Sequence, residues 1–429
     1  TDQTVTLPTP TRSGYSFKGW YKEAACRNKV GDAGAVYTPT ANITLYAKWR
    51  KNNYQNYNKG TYYQTLQEAV DDLRANTQDN VLVLTNVTET GNINVVSDKK
   101  MILNTNGHTV TITGGGIVNK GAILLNGPGK LTGSGEAPTV SNSGNFSTGG
   151  NITLESTSTN YALSNTGEAL ISSGLVKSAK AAIQNTGTGR LRVWSSANIE
   201  AESSAIINSS TYVTTDFSRS VMINAGEQNT NHDPDSSPNV IKVGNAKAIL
   251  NESSGDVYIG NTNITSKDTC VRNNGTGNIE ILGGTFTASG GSGVMNTGTG
   301  KVTLNGRYQK ISITGKTYGI CSTAKTTIDI YTYTGKNHSI NIEATGGTGI
   351  HNSQGTLNLG VSNPGTDNIT IKGTTYGVNN PSTGTFKYYD GIITGPLNKA
   401  INGTITFRSG YTKKVTNTST TTTVSLVAK

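Results

Sequence analysis

A four-residue pattern returns along most of this 429-residue chain. Each copy has a small residue, then Val, Ile or Leu, then any residue and, in most copies, Asn. The copies begin at residues 116, 139, 162, 182, 205, 248, 270, 293, 319, 349, 377 and 400. Most begin 20 to 30 residues after the previous copy, and one interval is 43 residues long. Such a period is typical of stacked repeats, in which each unit packs against its neighbours.

Short alternating strands follow many copies of the pattern, with Gly, Asn and Ser turns between them. Examples are Leu191–Val193, Ile279–Ile281 and Ile369–Ile371. About three such strands per unit predict a parallel β-helix, in which neighbouring coils lie about 4.8 Å apart. We therefore predict an all-β chain with a right-handed parallel β-helix over about 81–410. The hand follows the rule for parallel crossover connections.

The Asn that closes the pattern predicts a row of amides along the solenoid axis. Asn tolerates turn conformations and bonds nearby backbone, and stacked Asn side chains can bond one another. We interpret the row as structural, with ligand binding as the alternative. Its members are Asn119, Asn142, Asn165, Asn185, Asn208, Asn251, Asn273, Asn296, Asn352 and Asn380.

Both ends of the predicted solenoid carry signals of their own. Thr65 and Glu68 form a capping-box pattern, and Leu66, Ala69 and Val70 begin an apolar helical face. We therefore expect a helix over about 65–76 to cover the first coil, within a linker and cap at 51–80. At the other end, 411–429 reads as two strands or a threonine-rich tail.

Residues 1–50 do not follow the repeat. The segment LPTPTRSGYSFKGWY at 7–21 is followed by ITLYAKW at 43–49. These motifs closely resemble the Listeria–Bacteroides repeat, a module of the internalin B-repeat type. The resemblance implies a small β-grasp-like domain of secreted or surface-bound bacterial proteins, used as a spacer or adhesion repeat.

Members of that family usually start with one more strand than this segment holds, so we expect the module to be incomplete. Its aromatic side chains are numerous enough to form a small core, with an aromatic carbohydrate site as the alternative. The expected core residues are Tyr15, Phe17, Trp20, Leu45, Tyr46 and Trp49.

The repeat pattern also resembles the pectin-lyase-like parallel β-helices, which occur in lyases, glycosidases and adhesins. This resemblance covers most of the chain but rests on the pattern alone. It therefore implies the fold and leaves the function open.

Composition and charge narrow the classes of partner. The hydrophobic fraction is 33% and the formal net charge is +10, with Lys and Arg scattered along the chain. No basic helix or aromatic-basic stripe indicates nucleic-acid binding, and no apolar run is long enough to span a membrane. The three cysteines are far apart and indicate neither a disulfide framework nor a metal site. We expect an extracellular or cell-surface location.

Catalytic patterns are weak in this sequence. Polysaccharide-cleaving β-helices need paired carboxylates, or calcium-binding carboxylates with a basic residue. Here the outward positions are mostly Thr, Ser, Asn and Lys, and we predict no catalytic residue and no cofactor. His232, Asp233 and Asp235, in the insertion at 209–244, are weak metal candidates in what reads as a turn. The isolated Asp329, Asp390 and His351 read as solvated or turn residues.

The favoured hypothesis is a non-enzymatic bacterial surface protein that acts as an adhesin, stalk or structural subunit. The main alternative is a carbohydrate-binding or polysaccharide-cleaving β-helix acting on surface polysaccharide or host glycan. An ice-binding face is a third hypothesis, but Thr-x-Thr does not recur in every coil. We also predict head-to-tail self-assembly, in which the strand-like segment Thr418–Val427 completes the N-terminal module of the next molecule.

Overall fold

The computed structural model describes residues 3–212, 219–225, 238–306, 309–332, 338–360, 368–381 and 383–429, without the side chain of Ser195. These residues form a parallel β-solenoid of about 13 turns and one short helix, about 2% of the chain. Each turn contributes a strand to each of three faces. The all-β parallel solenoid predicted from the repeat is confirmed, whereas its hand stays a prediction.

The first face contains the repeated pattern and is a sheet of 13 parallel strands. In chain order they are Ile93–Val95, Ile117–Asn119, Val140–Asn142, Leu163–Asn165, Ile183–Gly187, Ile206–Ser210, Ile249–Asn251, Val271–Asn273, Ser292–Asn296, Tyr318–Ser322, Thr348–Asn352, Tyr376–Asn379 and Ile401–Asn402.

The second face follows the first in every turn. Its strands are Gln78–Val83, Lys100–Asn104, Ala122–Asn126, Asn145–Gly149, the first halves of Glu168–Ser178 and Arg190–Ala201, Arg219–Ile223, Asp256–Ile259, Ile279–Ile281, Val302–Asn305, Thr327–Tyr331, Thr356–Leu359, Thr385–Tyr388 and Ile405–Phe407. The two long strands turn the corner and continue into the third face.

The third face completes the turn. Its strands are Val87–Thr90, Thr109–Thr113, Gly129–Gly133, Ile152–Ser156, the second halves of the two long strands, Asn239–Val243, Thr262–Ser266, Gly284–Ala288, Ile311–Gly315, Ile340–Ala344, Ile369–Gly373 and Ile392–Pro396. These strands are paired in parallel, coil upon coil.

The core is a continuous column of aliphatic side chains that point inward from the three faces. The second residue of the repeated pattern is buried in every copy except the last, where Ile401 is half-buried, and it is fully buried at Ile183, Ile249, Val294 and Ile350. The first residue of the pattern must be small because the next coil lies against it. A Cβ at Gly116, for example, would lie 2.0 Å from the carbonyl oxygen of Pro138. The repeated pattern therefore sets both the inward register and the sharp corner.

The N-terminal end is closed by a hairpin and the helix. Strands Tyr54–Asn56 and Thr61–Tyr63 form an antiparallel hairpin, and the first of them pairs antiparallel with Gln78–Val83. The helix spans Leu66–Asp71 and has the capping box at Thr65. Its apolar face, including Leu66, is buried against the first coil.

The helix is shorter than the predicted 65–76. Asp72 is its C-cap, and the residues that follow bring Arg74 to the buried carboxylate of Asp79. The backbone N–H and Nε of Arg74 donate to Asp79 over 3.0 and 2.8 Å. Because Asp79 begins the first coil, this pairing draws the chain out of the helix.

The C-terminal end is closed by a second hairpin, formed by Tyr411–Asn417 and Thr421–Ala428. The threonine-rich strand pairs antiparallel with Ile392–Pro396, the last strand of the third face. Its Val424 is buried on the core, and its carbonyl oxygen lies 3.1 Å from the hydroxyl of Tyr388. The segment predicted to act as a donor strand is thus paired within its own chain.

The N-terminal module consists of two small antiparallel sheets. Tyr15–Tyr21 lies between Lys29–Gly31 and Tyr46–Lys51, while Val5–Thr6 pairs with Val36–Tyr37. The ring of Phe17 packs edge-on against the rings of Trp20 and Trp49, with 5.4 Å between the ring centres in each pair.

The expected core of the module needs one correction. Tyr46 is exposed, whereas Leu7 and Tyr21 are buried. Alternation along Tyr46–Lys51 explains this, because Ala47 and Trp49 point to the covered side of the sheet. A dense set of aromatic residues therefore did not identify which of them face inward.

Candidate functional site

The Asn row lies inside the first face and is fully or almost fully buried. From Asn119 to Asn251 each Nδ2 donates to Oδ1 of the Asn one coil further along, over 2.7 to 2.9 Å. Nδ2 of Asn273 donates instead to the carbonyl oxygen of Gly277 over 3.0 Å. Many of these Nδ2 groups also donate to a backbone carbonyl, as Asn185 does to Gly189 over 2.9 Å. The amides are thus occupied by one another and by the backbone, which leaves them little capacity for a ligand.

The row is interrupted at Ser322, which occupies the Asn position between Asn296 and Asn352. The side-chain oxygens of all three residues are buried without a hydrogen-bond partner among the described residues. The bond resumes one coil later, where Asn352 donates to Asn380 over 2.6 Å.

The third face presents a regular outward row, which we call the third-face row. Its positions are directly opposite one another in neighbouring coils. In chain order its residues are Thr88, Thr111, Thr132, Glu155, Lys177, Glu200, Lys242, Thr265, Thr287 and Thr314. Three further coils continue it with Glu343, Lys372 and Thr394, and the side chains of Glu343 and Lys372 form a 3.1 Å ion pair. Four alternating charges therefore lie between two runs of three threonines.

A shallow groove of about 390 Å³ runs across the four charged coils of this row. Leu175 and Val240 provide its half-buried apolar side chains, and Asn198, Glu200 and Lys242 provide polar ones. The threonines on either side do not form one continuous array, because the charged coils separate them. This arrangement does not provide the flat two-threonine surface that an ice-binding face requires.

The second face carries pairs of charged and aromatic groups. The guanidinium of Arg219 lies 3.9 Å from the ring centre of Tyr258. Burial raises the pKa of Tyr258, and the Glu280 charge adds to this effect. Asp329 accepts a 2.7 Å hydrogen bond from Asn358 and pairs with Lys301. Asp329 is therefore engaged in cross-coil contacts and is not presented as a free acid or base.

The other isolated candidates have local roles. Asp390 accepts from the N–H of Gly391 over 2.7 Å, in the turn that follows Thr385–Tyr388. His351 is half-buried on the outside of the first face, where Nδ1 lies 3.0 Å from Nδ2 of Asn379. Burial lowers the pKa of His351.

The weak metal candidates His232, Asp233 and Asp235 lie outside the described residues. In the part of the chain that the structure describes, no group of three or more His, Cys, Asp or Glu side chains is placed to hold a metal ion. In the same residues, no helix is long and apolar enough to cross a membrane.

Comparison with known proteins identifies the N-terminal module. Residues 1–48 match the family model of the Listeria-Bacteroides repeat domain. This module is a Listeria-Bacteroides repeat domain. Such repeats are typical of bacterial surface proteins, and with the β-helix they indicate that the chain is a bacterial surface protein. No curated protein and no solved structure is significantly similar to the chain.

The third-face row was not found from the sequence, although a signal for it exists. The repeated pattern lies on the first face, and aligning copies on it does not align the third strands, because turn lengths differ between coils. Aligning the coils a second time on Leu154, Val176, Ile199 and Ile241 would have placed the four charges in one column.

Proposed function

We propose that this protein is a non-enzymatic structural or adhesive component of the bacterial surface, with the solenoid acting as a rigid spacer. The observation that carries the proposal is a Listeria-Bacteroides repeat domain fixed directly to the capped end of a β-solenoid. About 13 coils, each about 4.8 Å thick, make a rod of about 60 Å. Its outward side chains are mainly Thr, Ser, Asn and charged residues.

The junction between the two parts supports a stiff connection. Arg50, in the last strand of the module, pairs with Glu68 of the capping helix. Its Nε also donates to Gln64 over 3.1 Å. On the module side, Ser16 donates to Asn52 over 2.7 Å, and the N–H of Asn52 donates to Gly14. Residues 50–68 thus contact both parts, as a spacer that transmits orientation would require.

The proposal is tested by looking for turnover. The chain is incubated with acidic and neutral polysaccharides, and the products are separated by size, with a known polysaccharide lyase as the positive control. We expect binding or no effect, and no release of oligosaccharides. Cleavage that continues over many turnovers and scales with protein concentration would overturn the non-enzymatic proposal.

Carbohydrate binding is the second candidate, and one exposed side chain favours it. Trp194 is 52% exposed at the corner between the second and third faces. An indole with one open face can pack on a sugar ring. If glycans bind there, Trp194→Ala should abolish binding to a glycan array, and Trp49→Ala, in the module, should not. Equal binding by both variants and the unchanged chain would exclude Trp194 as the site.

Head-to-tail assembly is the finer part of the proposal, and the structure defines what it requires. The strand Thr421–Ala428 would have to leave Ile392–Pro396 before it could pair with another molecule. Among the described residues, the strand Tyr411–Asn417 pairs only with Thr421–Ala428. Tyr411–Asn417 carries Lys413 and Lys414. Lysines on an edge strand oppose further pairing.

A reversible lock tests this assembly. The Oγ1 atoms of Thr394 and Thr423 lie 3.2 Å apart on directly paired strands. The double variant Thr394→Cys/Thr423→Cys, in a Cys26→Ser background, holds the strand in its own chain when oxidised. Fibres seen by electron microscopy only in the reduced form would support strand donation. Fibres in both forms would exclude the tail as donor, and a reduced form that gives no fibres would exclude the assembly.

A further inference from the structure

The first ten positions of the third-face row, Thr88 to Thr314, have a symmetry that a single chain does not need, and Glu343, Lys372 and Thr394 lie outside it. When these ten positions are taken in reverse order, they again give three threonines, four alternating charges and three threonines. Each negative charge is then found where a positive charge stood. Reversal pairs Glu155 with Lys242, Lys177 with Glu200 and Thr132 with Thr265. The row is thus complementary to a reversed copy of itself.

We propose that the third face is the interface of an isologous dimer of this chain, with the two solenoids antiparallel. The two-fold axis lies in the interface, parallel to the strands, and passes between the strands that carry Lys177 and Glu200. This operation keeps the third-face row opposite the same row of the second copy and reverses the order of coils. An isologous interface of this kind closes as a dimer and does not propagate.

The charges at the centre of the row are available for a partner. Glu155 is the exception, since it is paired with Lys130 at 2.8 Å, accepts a hydrogen bond from Thr132 and is 14% exposed, so three of the four charges are available. No ion pair within 4 Å is formed by Lys177, Glu200 or Lys242 with any other described residue. Alternation between adjacent strands reduces like-charge repulsion within one chain. It does not by itself account for an even number of charges between equal runs of threonine.

The groove supports the same axis. It is confined to the four charged coils, so the proposed two-fold axis passes through it. Leu175 and Val240 lie in the neighbouring outward row of this face, beside Lys177 and Lys242. In the dimer, Leu175 opposes Asn198 of the second copy and Val240 opposes Thr153, with no like charges brought together.

The size of the face is sufficient for a specific interface. Ten coils span about 45 Å, and a five-residue strand is about 16 Å long. Two such faces would bury about 1,300 Å² in total, within the range of specific complexes. Two flat sheets can approach to about 10 Å, the usual distance between stacked sheets.

Charge reversal in the full chain tests the pairing. Lys177→Glu places like charges opposite each other at both central contacts and should weaken the dimer at least about tenfold in sedimentation equilibrium. The double variant Lys177→Glu/Glu200→Lys restores opposite charges across the axis and should recover most of the affinity. Lys372→Glu is the matched control, because it also creates a like-charge contact within its own chain, beside Glu343, but lies beyond the overlapping coils. Its affinity should be unchanged, and circular dichroism checks that all variants are folded.

Zero-length carbodiimide cross-linking gives an independent readout. Glu155 and Lys242 lie three coils, or about 14 Å, apart in one chain, which is too far for a direct amide bond. A Glu155–Lys242 cross-link between ¹⁴N- and ¹⁵N-labelled chains would therefore support the proposed register. A chain that remains monomeric up to about 1 mM would overturn the proposal, since binding would then be weaker than about −4 kcal/mol. A dimer that is insensitive to Lys177→Glu, or a folded double variant that fails to recover, would also overturn it.

Discussion

Ser322 and Asn352 are directly opposed in neighbouring coils, and Oδ1 of Asn352 is buried there without a donor. Oδ1 of Asn296, one coil before Ser322, is also buried without a donor, because Nδ2 of Asn273 donates to Gly277 and not to Asn296. From Asn119 to Asn251, and again at Asn352, the corresponding residue is an Asn whose Nδ2 donates to the next amide oxygen. The break in the row therefore identifies what each Asn contributes.

Repairing the break should stabilise the protein. Ser322→Asn provides a donor for Asn352 and an acceptor for Asn296, so we expect a gain of about 1–2 kcal/mol in the free energy of unfolding. Urea unfolding followed by circular dichroism measures it. The reverse change in the intact part of the row, Asn165→Ser, should cost about 1–3 kcal/mol, because Oδ1 of Asn185 loses its donor and Asn142 loses one of its acceptors. If both variants were as stable as the unchanged protein, the hydrogen bonds between these amides would make no net contribution to stability.

The inward register is tested by two neighbouring residues. Ile249 is fully buried, and Leu250 points outward and is half-buried. Ile249→Asp should cost several kcal/mol because the charge is buried without a partner, whereas Leu250→Asp should cost much less. Thermal unfolding of the two variants provides the comparison. A larger loss for Leu250→Asp would refute the register.

The N-terminal cap should be sensitive to acid. Burial alone would raise the pKa of Asp79, but hydrogen bonds from Arg74 and Asn56 hold it below its usual value. Burial likewise opposes the hydrogen bonds from Arg50, Gln64 and Thr65 that lower the pKa of Glu68. Both carboxyls bind protons more weakly when folded, so their stabilisation is present above about pH 4.5 and is lost as the pH falls below it.

Hydrogen exchange of residues 54–83, expressed as protection relative to the unfolded chain, measures this effect. Protection should decrease between about pH 6 and about pH 3, more than in the central coils. Asp79→Asn should lower protection at the higher pH and weaken the pH dependence. Constant protection of the cap across this range would contradict the role of the carboxylates.

The cysteines should differ sharply in reactivity. Burial raises the pKa of Cys270 to about 12 and that of Cys321 to about 11, whereas Cys26 is half-exposed in the module. In the native protein at about pH 8, a thiol reagent should therefore modify Cys26 quickly and the other two only after unfolding. Mass spectrometry counts the labels, and Cys26→Ser should remove the fast one. Rapid labelling of Cys270 would show that the stack opens in solution.

The parts of the fold set by local, repeated chemistry were predictable. The small residue, the inward aliphatic residue and the Asn recur together, so they indicated the coil, its register and its corner. The capping box at Thr65 and Glu68 likewise located the start of the helix. The earlier end of the helix depends on Asp79, and a side chain beyond the helix gives no periodic signal.

Pairing between strands that lie far apart in the sequence was harder to predict. Alternation along Thr421–Ala428 predicted a strand but not its antiparallel partner, Ile392–Pro396. The third-face row also depends on register between coils of unequal length. The candidate interface therefore became visible only when the coils were aligned on their third strands.

Labelling of intact bacteria tests the central claim most directly. Antibodies against the first face, which lies outside the proposed dimer interface, and against the Listeria-Bacteroides repeat domain are applied to cells that produce the protein, before and after permeabilisation. The account predicts that intact cells are labelled, with no large gain on permeabilisation, and that a cytoplasmic marker is labelled only afterwards. Labelling of this chain only after permeabilisation would contradict a role on the bacterial surface.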